Sequence, residues 1–329
     1  MRGIVCGKED RPTMLLHLAP LHGVTNRVFR NAYFRHFSGL GGAIAPFILA
    51  VHTSKAKPNH FKDLLPGPAA DGAGSGIPLV PQLLGNDATS FVETAQVLAG
   101  LGYTEINWNL GCPYPMVENK QRGSGLLPFP DRVGRMLDAV CAIPGIEISV
   151  KLRLGRSDPL EIIRLMPILN DHPLRKVILH PRVGTQMYRG ETNLDGFEAA
   201  AGLCRHALVY NGDIVSRAAY EKLKARFPGI EEWMIGRGAI SNPFLPEEIM
   251  TGEVVGDRSA RLLAWHDDLY RSYREVLSGP AHLLDKMKEI WGYLGSSFPG
   301  KSRQLERIAR AKTLPSYEEA VSEILGRCR

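Results

Sequence analysis

The chain has 329 residues, of which 44% are hydrophobic and 22% charged, so it can bury a large core in one or two domains and is no disordered tail. Lysine and arginine number 40 against 34 acidic residues, and this formal charge of +6 mildly favours a polyanionic partner. No apolar stretch approaches the roughly 18 to 20 residues of a membrane helix, and residues 8–11 are charged where a signal peptide would be apolar, so we expect a soluble protein with no membrane partner.

Short runs of β-type residues recur along the chain at spacings that leave room for a helix between them, as in parallel β/α units. The eight runs span residues 14–20, 42–48, 79–85, 105–111, 147–155, 176–184, 207–214 and 232–240. Helix-like segments lie between them, for example 86–100, which Asn86 or Asp87 can cap, and 216–227. Eight such units in about 240 residues predict a (β/α)8 TIM barrel of the α/β class.

Two regions depart from this alternation. Residues 66–78 are rich in Gly, Ala and Pro and are expected to form a surface loop. Strand signals stop after residue 246. The candidate helices that follow span 261–277, 281–298 and 302–312. The sequence therefore predicts a catalytic TIM-barrel domain over residues 1–249 and a small all-helical domain over residues 250–329.

Polar side chains gather at the ends of the predicted strands, whereas the strand starts are largely apolar. These polar residues are Gln82, Asn109, Lys151, His180, Asn211, Asp213 and Arg237. In a TIM barrel the carboxyl ends of all strands meet on one face, which carries the active site. One polar residue at such a position is commonly a hydrogen-bonded core group, but unpaired buried polar groups are costly, so seven on one rim predict a functional site.

The last two runs end in glycine-containing segments. Asn211–Asp213 ends the seventh run and Gly236–Arg237 the eighth, where TIM barrels often bind a phosphate through backbone amides. Gly212 allows close approach of a ligand, and Arg237 supplies a positive charge. Two plain glycine turns are the alternative, but their joint placement on neighbouring strands favours a phosphate site.

Five cysteines are scattered along the chain without a CxxC pair, which argues against a disulfide framework and a zinc site and fits a reducing cytoplasm. Cys112 differs from the others because it follows the fourth run, close to Asn109 and before the loop 113–127. We expect Cys112 to be exposed and mobile, and to act as a proton donor or, as a thiolate, as a nucleophile. A lone cysteine is more often a buried, inert side chain, which is the interpretation for Cys6, Cys141, Cys204 and Cys328.

Basic residues cluster in two parts of the chain. Residues 11–62 contain seven Lys or Arg and no acid, and residues 301–312 contain five with one Glu. Such clusters are usually solvated faces, but a phosphate backbone that crosses from the barrel to the helical region would meet both. The basic residues expected to contact such a backbone include Lys120, Arg122, Lys286 and Arg303.

Seven motifs occur in order at the ends of the predicted strands. They read LAPLHGVTNRVFR, PQLLG, NWNLGCP, VKLRLG, HPRVGTQMYRG, YNGDI and MIGRGAISNP. Over nearly the whole chain this series resembles the tRNA-dihydrouridine synthases. The resemblance implies an FMN-binding barrel, a C-terminal helical RNA-binding domain, tRNA as substrate and NADPH as a transient reductant of FMN. A cytoplasmic monomer without a metal ion is expected.

The resemblance also implies roles for individual residues. Cys112 is implied to be the catalytic acid, which protonates C5 of a uridine after N5 of the reduced flavin delivers hydride to C6. Asn109 is implied to hold the uracil, and Arg182 joins the basic residues named above as a substrate contact. The residues implied to hold FMN are Pro20, Leu21, His22, Gln82, Lys151, His180, Asn211, Gly212, Asp213, Gly236 and Arg237.

Two departures from the family pattern concern how the loop after Cys112 grips the substrate and how His22 contacts the flavin. Pro115 and Met116 stand where relatives often carry a lysine, and His22 stands where many have a small or acidic residue. The short tail with MKEIWGYL resembles the bacterial C-type subgroup, which implies a uridine in the D-loop of tRNA.

Two other functions remain open from the sequence. An FMN-dependent small-molecule pyrimidine reductase of the dihydroorotate dehydrogenase kind would use the same barrel and similar chemistry, although the basic helical tail argues against it. An RNA-binding protein that keeps the barrel only as a scaffold is the non-enzymatic alternative, and Cys112 together with the flavin-binding set argues against that.

Overall fold

The computed structural model describes residues 14–57, 59–65 and 77–326. The predictions for the N-terminal charges at 8–11, for most of the loop 66–78, and for Cys6 and Cys328 therefore lie outside the described residues.

Ten parallel β-segments form the central sheet. They are β1 Leu15–Leu18, β2 Gly42–Ile44, β3 Ile48–Leu49, β4 Leu79–Val80, β5 Gln82–Leu84, β6 Glu105–Leu110, β7 Glu147–Gly155, β8 Leu174–Val183, β9 Ala207–Tyr210 and β10 Glu232–Ile235. The segments pair in the order β3-β5-β6-β7-β8-β9-β10-β1-β2-β4. Since β2 and β3 follow each other in the chain, as do β4 and β5, the two ends of this order meet.

Two strands of the barrel are interrupted, each beside a proline. Residues 45–47 separate β2 from β3, and Pro81 separates β4 from β5. Pairing continues on both sides of the breaks, where Ala43 aligns with Leu79 and Ile48 with Leu83. Proline cannot donate to a ladder, so it breaks the regular pairing without ending the strand. The ten segments thus occupy eight strand positions of a closed barrel, which confirms the predicted (β/α)8 TIM barrel.

Helices cover the barrel and continue beyond it. Their bounds are α1 Arg27–His36, α2 Ala88–Gly100, α3 Pro115–Glu118, α4 Pro130–Val140, α5 Glu161–Asn170, α6 Leu194–Leu203, α7 Arg217–Arg226, α8 Arg237–Ser241, α9 Leu245–Thr251, α10 Arg258–Val276, α11 Pro280–Leu294, α12 Ser302–Arg310 and α13 Leu314–Leu325. Asp87 caps α2 by accepting the backbone N–H of Ser90, and Ser216 caps α7 in the same way. The sequence analysis did not predict α13 as a separate helix.

The last two predicted strands are shorter than the sequence suggested. β9 ends at Tyr210 because the chain turns at Asp213, whose φ of +42° does not occur in an extended strand. β10 ends at Ile235 because Gly236 (φ −102°, ψ −106°) leaves the strand conformation and α8 starts at Arg237. In both cases the chain leaves the strand at a point where the sequence analysis expected the strand to continue.

The helical tail packs directly on the first barrel helix. The indole of Trp265 on α10 lies 6.0 Å from the Phe29 ring and 5.5 Å from the Phe37 ring, between ring centroids. The Tyr273 hydroxyl of α10 donates to Oδ1 of Asn26, 3.0 Å away. The boundary near residue 250 stays a prediction, and it falls at the end of α9. Along the residues that the structure covers, every helix is too short or too polar to cross a bilayer.

A partly buried carboxylate joins three strands at the amino-terminal side of the barrel. Oε2 of Glu232 lies 2.8 Å from Nε2 of His17 and 2.7 Å from Nζ of Lys176. Burial opposes ionisation of Glu232, but the hydrogen bonds from His17 and Lys176 outweigh it and lower its pKa from the ordinary 4.5 to about 2.

We expect Glu232→Gln to lower the free energy of unfolding at pH 7 by about 2 kcal/mol. Because the pKa is depressed in the folded state, the carboxylate stabilises the wild type above about pH 4.5, and this contribution fades as the pH falls towards 2. Urea unfolding at pH 7 and at pH 3 measures it. A difference between the two proteins that is the same at both pH values would contradict the ion-pair account.

Candidate active site

A cavity of about 370 Å³ opens at the carboxyl ends of the barrel strands. It lies where TIM barrels carry their active sites. The predicted residues that line it are Pro20, Leu21, His22, Asn109, Cys112, Lys151, His180, Asn211, Gly212, Asp213, Gly236 and Arg237. The structure therefore brings together residues from six separate stretches of sequence.

Gln82 is the exception among the residues implied to hold the cofactor. It is fully buried and is not part of the cavity wall. Its Nε2 donates to Oδ1 of Asn107, 2.7 Å away, and its Oε1 accepts Nδ2 of Asn109 at 2.8 Å. Gln82 therefore orients the side chain of Asn109 without lining the cavity itself.

Asn109 in turn shapes the segment that carries the cysteine. Its Oδ1 accepts the backbone N–H of Gly111 at 3.0 Å and that of Cys112 at 2.9 Å. The side-chain nitrogen has two hydrogens, of which Gln82 accepts one. The second remains for a ligand in the cavity.

Cys112 is buried, so the expectation that it would be exposed and mobile is wrong. Only 7% of the residue is exposed, although it lines the cavity. Burial raises the pKa of the thiol, and the backbone N–H of Tyr114 and the charge of Arg153 only partly oppose this. The group is therefore a thiol at neutral pH, which suits a proton donor better than a nucleophile.

Lys151 and His180 give the cavity an amine that titrates near neutral pH and a neutral imidazole nitrogen. Burial, with a smaller contribution from Arg153, lowers the pKa of Lys151 to about 7, and no carboxylate in the described part of the chain pairs with its amine. Burial and the charges of the neighbouring Lys and Arg lower the pKa of His180 as well. An anionic ligand would restore the charge of Lys151, whereas His180 stays a neutral imidazole.

Asp213 lies between two arginines. Its carboxylate is ion-paired with Arg182, and its Oδ1 lies 2.9 Å from Nη2 of Arg237. Arg182 is only 2% exposed and also donates to the carbonyl of Gly190, so the structure does not bring it to the surface where the sequence placed a substrate contact. Its role is to hold Asp213, which in turn holds Arg237.

The sequence analysis missed four residues with polar side chains in the cavity wall. Arg153 donates from Nε to the carbonyl of Gly111 (2.9 Å), and its guanidinium lies 5.3 Å from the ring centre of Tyr188. The Tyr188 ring also lies 5.4 Å from the guanidinium of Arg237. Tyr114, Tyr188 and, from α11, Tyr293 complete the wall. Arg153 and Tyr188 belong to VKLRLG and HPRVGTQMYRG, so the motifs contained the signal that would have found them.

The basic residues expected to contact RNA lie outside the cavity wall. Lys120 and Arg303 are exposed, and Arg122 donates to Oδ1 of Asn86. Lys286 is held by Glu289, at 2.5 Å, and by a backbone carbonyl. Arg303 has no ion-pair partner among the described residues.

Part of the predicted basic clusters is structural. Arg30 is buried against Asp63, with 2.9 Å between Nη1 and Oδ2, and Arg35 pairs with Asp268. Within the described ranges no three His, Cys, Asp or Glu side chains are arranged to hold a metal ion.

The barrel resembles those of known reductases. Morphinone reductase superposes with a TM-score of 0.52 at 14% identity, over 75% of this chain and 88% of that one. A variant of NCR from Zymomonas mobilis gives a TM-score of 0.51 at 14% identity, over 76% and 90%. At this identity the likeness establishes the fold alone.

Sequence comparison establishes the family. The family model described as dihydrouridine synthase (Dus) matches residues 17–322. The tRNA-dihydrouridine(16) synthase of Cupriavidus necator is 31% identical over 233 residues, 70% of this chain and 71% of that protein. The enzyme of the same name from Ralstonia nicotianae is 29% identical over 320 residues, 94% and 97% of the two chains. The chain belongs to the dihydrouridine synthase family, which confirms the prediction of a flavin-dependent oxidoreductase.

Proposed function

We propose that the protein reduces a uridine of tRNA to 5,6-dihydrouridine in the cytoplasm, with FMN as cofactor and NADPH as reductant, and that it acts as a monomer. The observation that carries the proposal is that the Cys112 thiol and the Lys151 amine share one cavity at the strand ends, in a chain of this family.

The charges of the cavity fit an anionic cofactor such as FMN. The cavity is lined by three basic side chains, Lys151, Arg153 and Arg237. The carboxylate of Asp213 also lines it, but two arginines already neutralise this charge. The turn at Asn211–Asp213 and the Gly236–Arg237 segment follow neighbouring strands and would hold the phosphate. Lys151 and His180 would face the ring, where an ammonium stabilises negative charge.

When bound, FMN supplies a hydride from N5 to C6 of the uracil. Cys112 holds the proton for C5, because its thiol is protonated at neutral pH. The second Nδ2 hydrogen of Asn109, which lines the cavity, would bind a uracil carbonyl. Burial of Cys112 keeps the acid away from bulk water, and the base must leave the RNA stack to reach it.

The substrate uridine is proposed to lie at position 16, in the D-loop. The relative from Ralstonia nicotianae is named for position 16, and its similarity extends over 94% of this chain, which includes most of the helical tail. Basic residues on the barrel and the tail would meet the phosphates around the flipped base. The proposed contacts are Lys120, Arg122, Lys286 and Arg303.

The test begins with the purified full chain. We expect yellow protein with about one FMN per chain, and, with NADPH and unmodified tRNA, formation of dihydrouridine that mass mapping locates at position 16. Absence of flavin together with tight tRNA binding would indicate the RNA-binding scaffold instead. Free pyrimidines turned over as efficiently as tRNA would indicate a small-molecule reductase.

A further inference from the structure

Glu118 is a buried carboxylate that the proposed reaction does not use. It is the last residue of α3, six positions after Cys112, and only 9% of it is exposed. Its Oε1 lies 2.6 Å from the Oγ of Ser124, and its Oε2 lies 3.6 Å from Nε of Arg156. Burial of a carboxylate destabilises the folded state unless hydrogen bonds or a counter-charge compensate it, and here Ser124 and Arg156 do so.

Ser124 connects this carboxylate to the main chain of Cys112. The buried Oγ of Ser124 lies 2.9 Å from the carbonyl oxygen of Cys112, and the backbone N–H of Ser124 donates to the same oxygen at 3.1 Å. A hydroxyl has one proton, so it donates to one oxygen at a time. The ionised Glu118 is the stronger acceptor, and the backbone N–H then satisfies the Cys112 carbonyl.

The surroundings leave this arrangement little freedom. A Cβ at Gly184, directly after β8, would overlap Oε1 of Glu118 and lie 2.7 Å from the Oγ of Ser124. A Cβ at Gly123, whose φ is +55°, would lie 2.5 Å from the Cys112 carbonyl oxygen. A side chain at Gly123 would clash with the main chain of Cys112, and one at Gly184 would have to displace the Glu118 carboxylate.

Charged and titratable groups face the Cys112 thiol from three elements. Glu118 approaches from α3, Arg153 from β7 and Tyr188 from the segment after β8, while the backbone N–H of Tyr114 also reaches the sulfur. The negative charge of Glu118 favours the thiol, and the positive charge of Arg153 favours the thiolate. The two charges therefore act on Cys112 in opposite directions.

We propose that Glu118 is a positioning residue for the reaction: through Ser124 it fixes the main chain at Cys112, and its charge adds a small contribution to the burial that keeps the sulfur protonated. This inference rests on the proposed function, in which Cys112 donates a proton. It adds an electrostatic and a geometric requirement for that proton.

Two variants separate the two requirements. Glu118→Gln removes the charge but keeps an oxygen that can accept the Ser124 hydroxyl, whereas Ser124→Ala removes the bridge but keeps the charge. Glu161→Gln is the matched control, because Glu161 is also a buried carboxylate (7% exposed) but binds the backbone N–H of Arg156 and does not act on Cys112. Flavin content and thermal unfolding verify that each variant is folded.

The first readout is the pH dependence of Cys112 alkylation by iodoacetamide, followed by peptide mass mapping in FMN-loaded protein without tRNA or NADPH. Glu118→Gln is expected to move the midpoint down by up to about half a pH unit, which is roughly threefold faster alkylation near pH 7. Ser124→Ala and Glu161→Gln are expected to leave the midpoint unchanged. An unshifted midpoint in Glu118→Gln would overturn the electrostatic role.

The second readout is turnover of tRNA. Ser124→Ala is expected to lower kcat about tenfold with an unchanged KM for tRNA, because it disturbs the acid and not the RNA contacts. Wild-type kcat in this variant would overturn the geometric role. A wild type that forms no dihydrouridine would instead refute the proposed function, and the alkylation midpoints would still test Glu118. Ser124→Ala, the smaller change, keeps the geometric role testable should Glu118→Gln not fold.

Discussion

Cys112→Ala is expected to lower the rate of dihydrouridine formation by a factor of about 10²–10⁴, which is the usual contribution of a positioned general acid. FMN binding should stay at the wild-type level, because Lys151, Arg237 and the turn at Asn211–Asp213 do not depend on the sulfur. Single-turnover measurement of dihydrouridine in unmodified tRNA determines the rate, and flavin absorbance determines the occupancy.

Cys141→Ala is the matched control for that experiment. Cys141 is a second free, partly buried thiol, whose pKa burial raises to about 11, but it caps α4 on the outside of the barrel and is not part of the cavity wall. Its removal should leave turnover unchanged. Wild-type turnover by Cys112→Ala would show that C5 receives its proton from another group.

Asp213→Asn is expected to lower the free energy of unfolding by about 3 kcal/mol, since it leaves the buried guanidinium of Arg182 without its counter-charge. Asparagine tolerates the positive φ at this position as well as aspartate does, so the change removes charge without backbone strain. Arg237 also loses its partner, and we expect weaker FMN binding. Urea unfolding and flavin titration measure the two effects.

Asp195→Asn provides the comparison for a surface ion pair. Asp195 is 91% exposed and pairs with Arg226, so solvent screens the pair and it contributes little to stability. If Asp213→Asn were no more destabilising than Asp195→Asn, the carboxylate of Asp213 would not be what neutralises Arg182.

The fold was predictable because strand spacing and strand-end chemistry agree along the whole chain. β7 has the bounds that the sequence predicts, Glu147–Gly155, and its Lys151 reaches the cavity as expected. Residues at the carboxyl ends of parallel strands must converge in a closed barrel, so their convergence needs no knowledge of side-chain packing. Most of the predicted flavin-binding set therefore lines one cavity.

The role of an individual side chain was harder to predict when a neighbour in space decides it. Gln82 uses both ends of its amide on Asn107 and Asn109, which belong to the adjacent strand. The burial of Cys112 depends on the turn that starts at Gly123, which folds back over it. No periodicity in the sequence indicates either contact.

Charge counting along the chain overstated the free basic surface. Arg30 meets Asp63 and Arg35 meets Asp268, which is more than 200 positions away in the chain. A window of sequence shows only adjacent charges, so it cannot show that a distant carboxylate neutralises a cluster. Arg303, which remains unpaired within the described ranges, is the better candidate for an RNA contact.

The tail helix α11 supplies Tyr293 to the same chamber that the barrel strands form. The tail is thus part of the cavity wall, and exchange of tails between relatives would alter the reaction chamber. Engineered hybrids that aim to redirect the enzyme to another nucleotide should therefore carry the native barrel loops along with the transplanted tail.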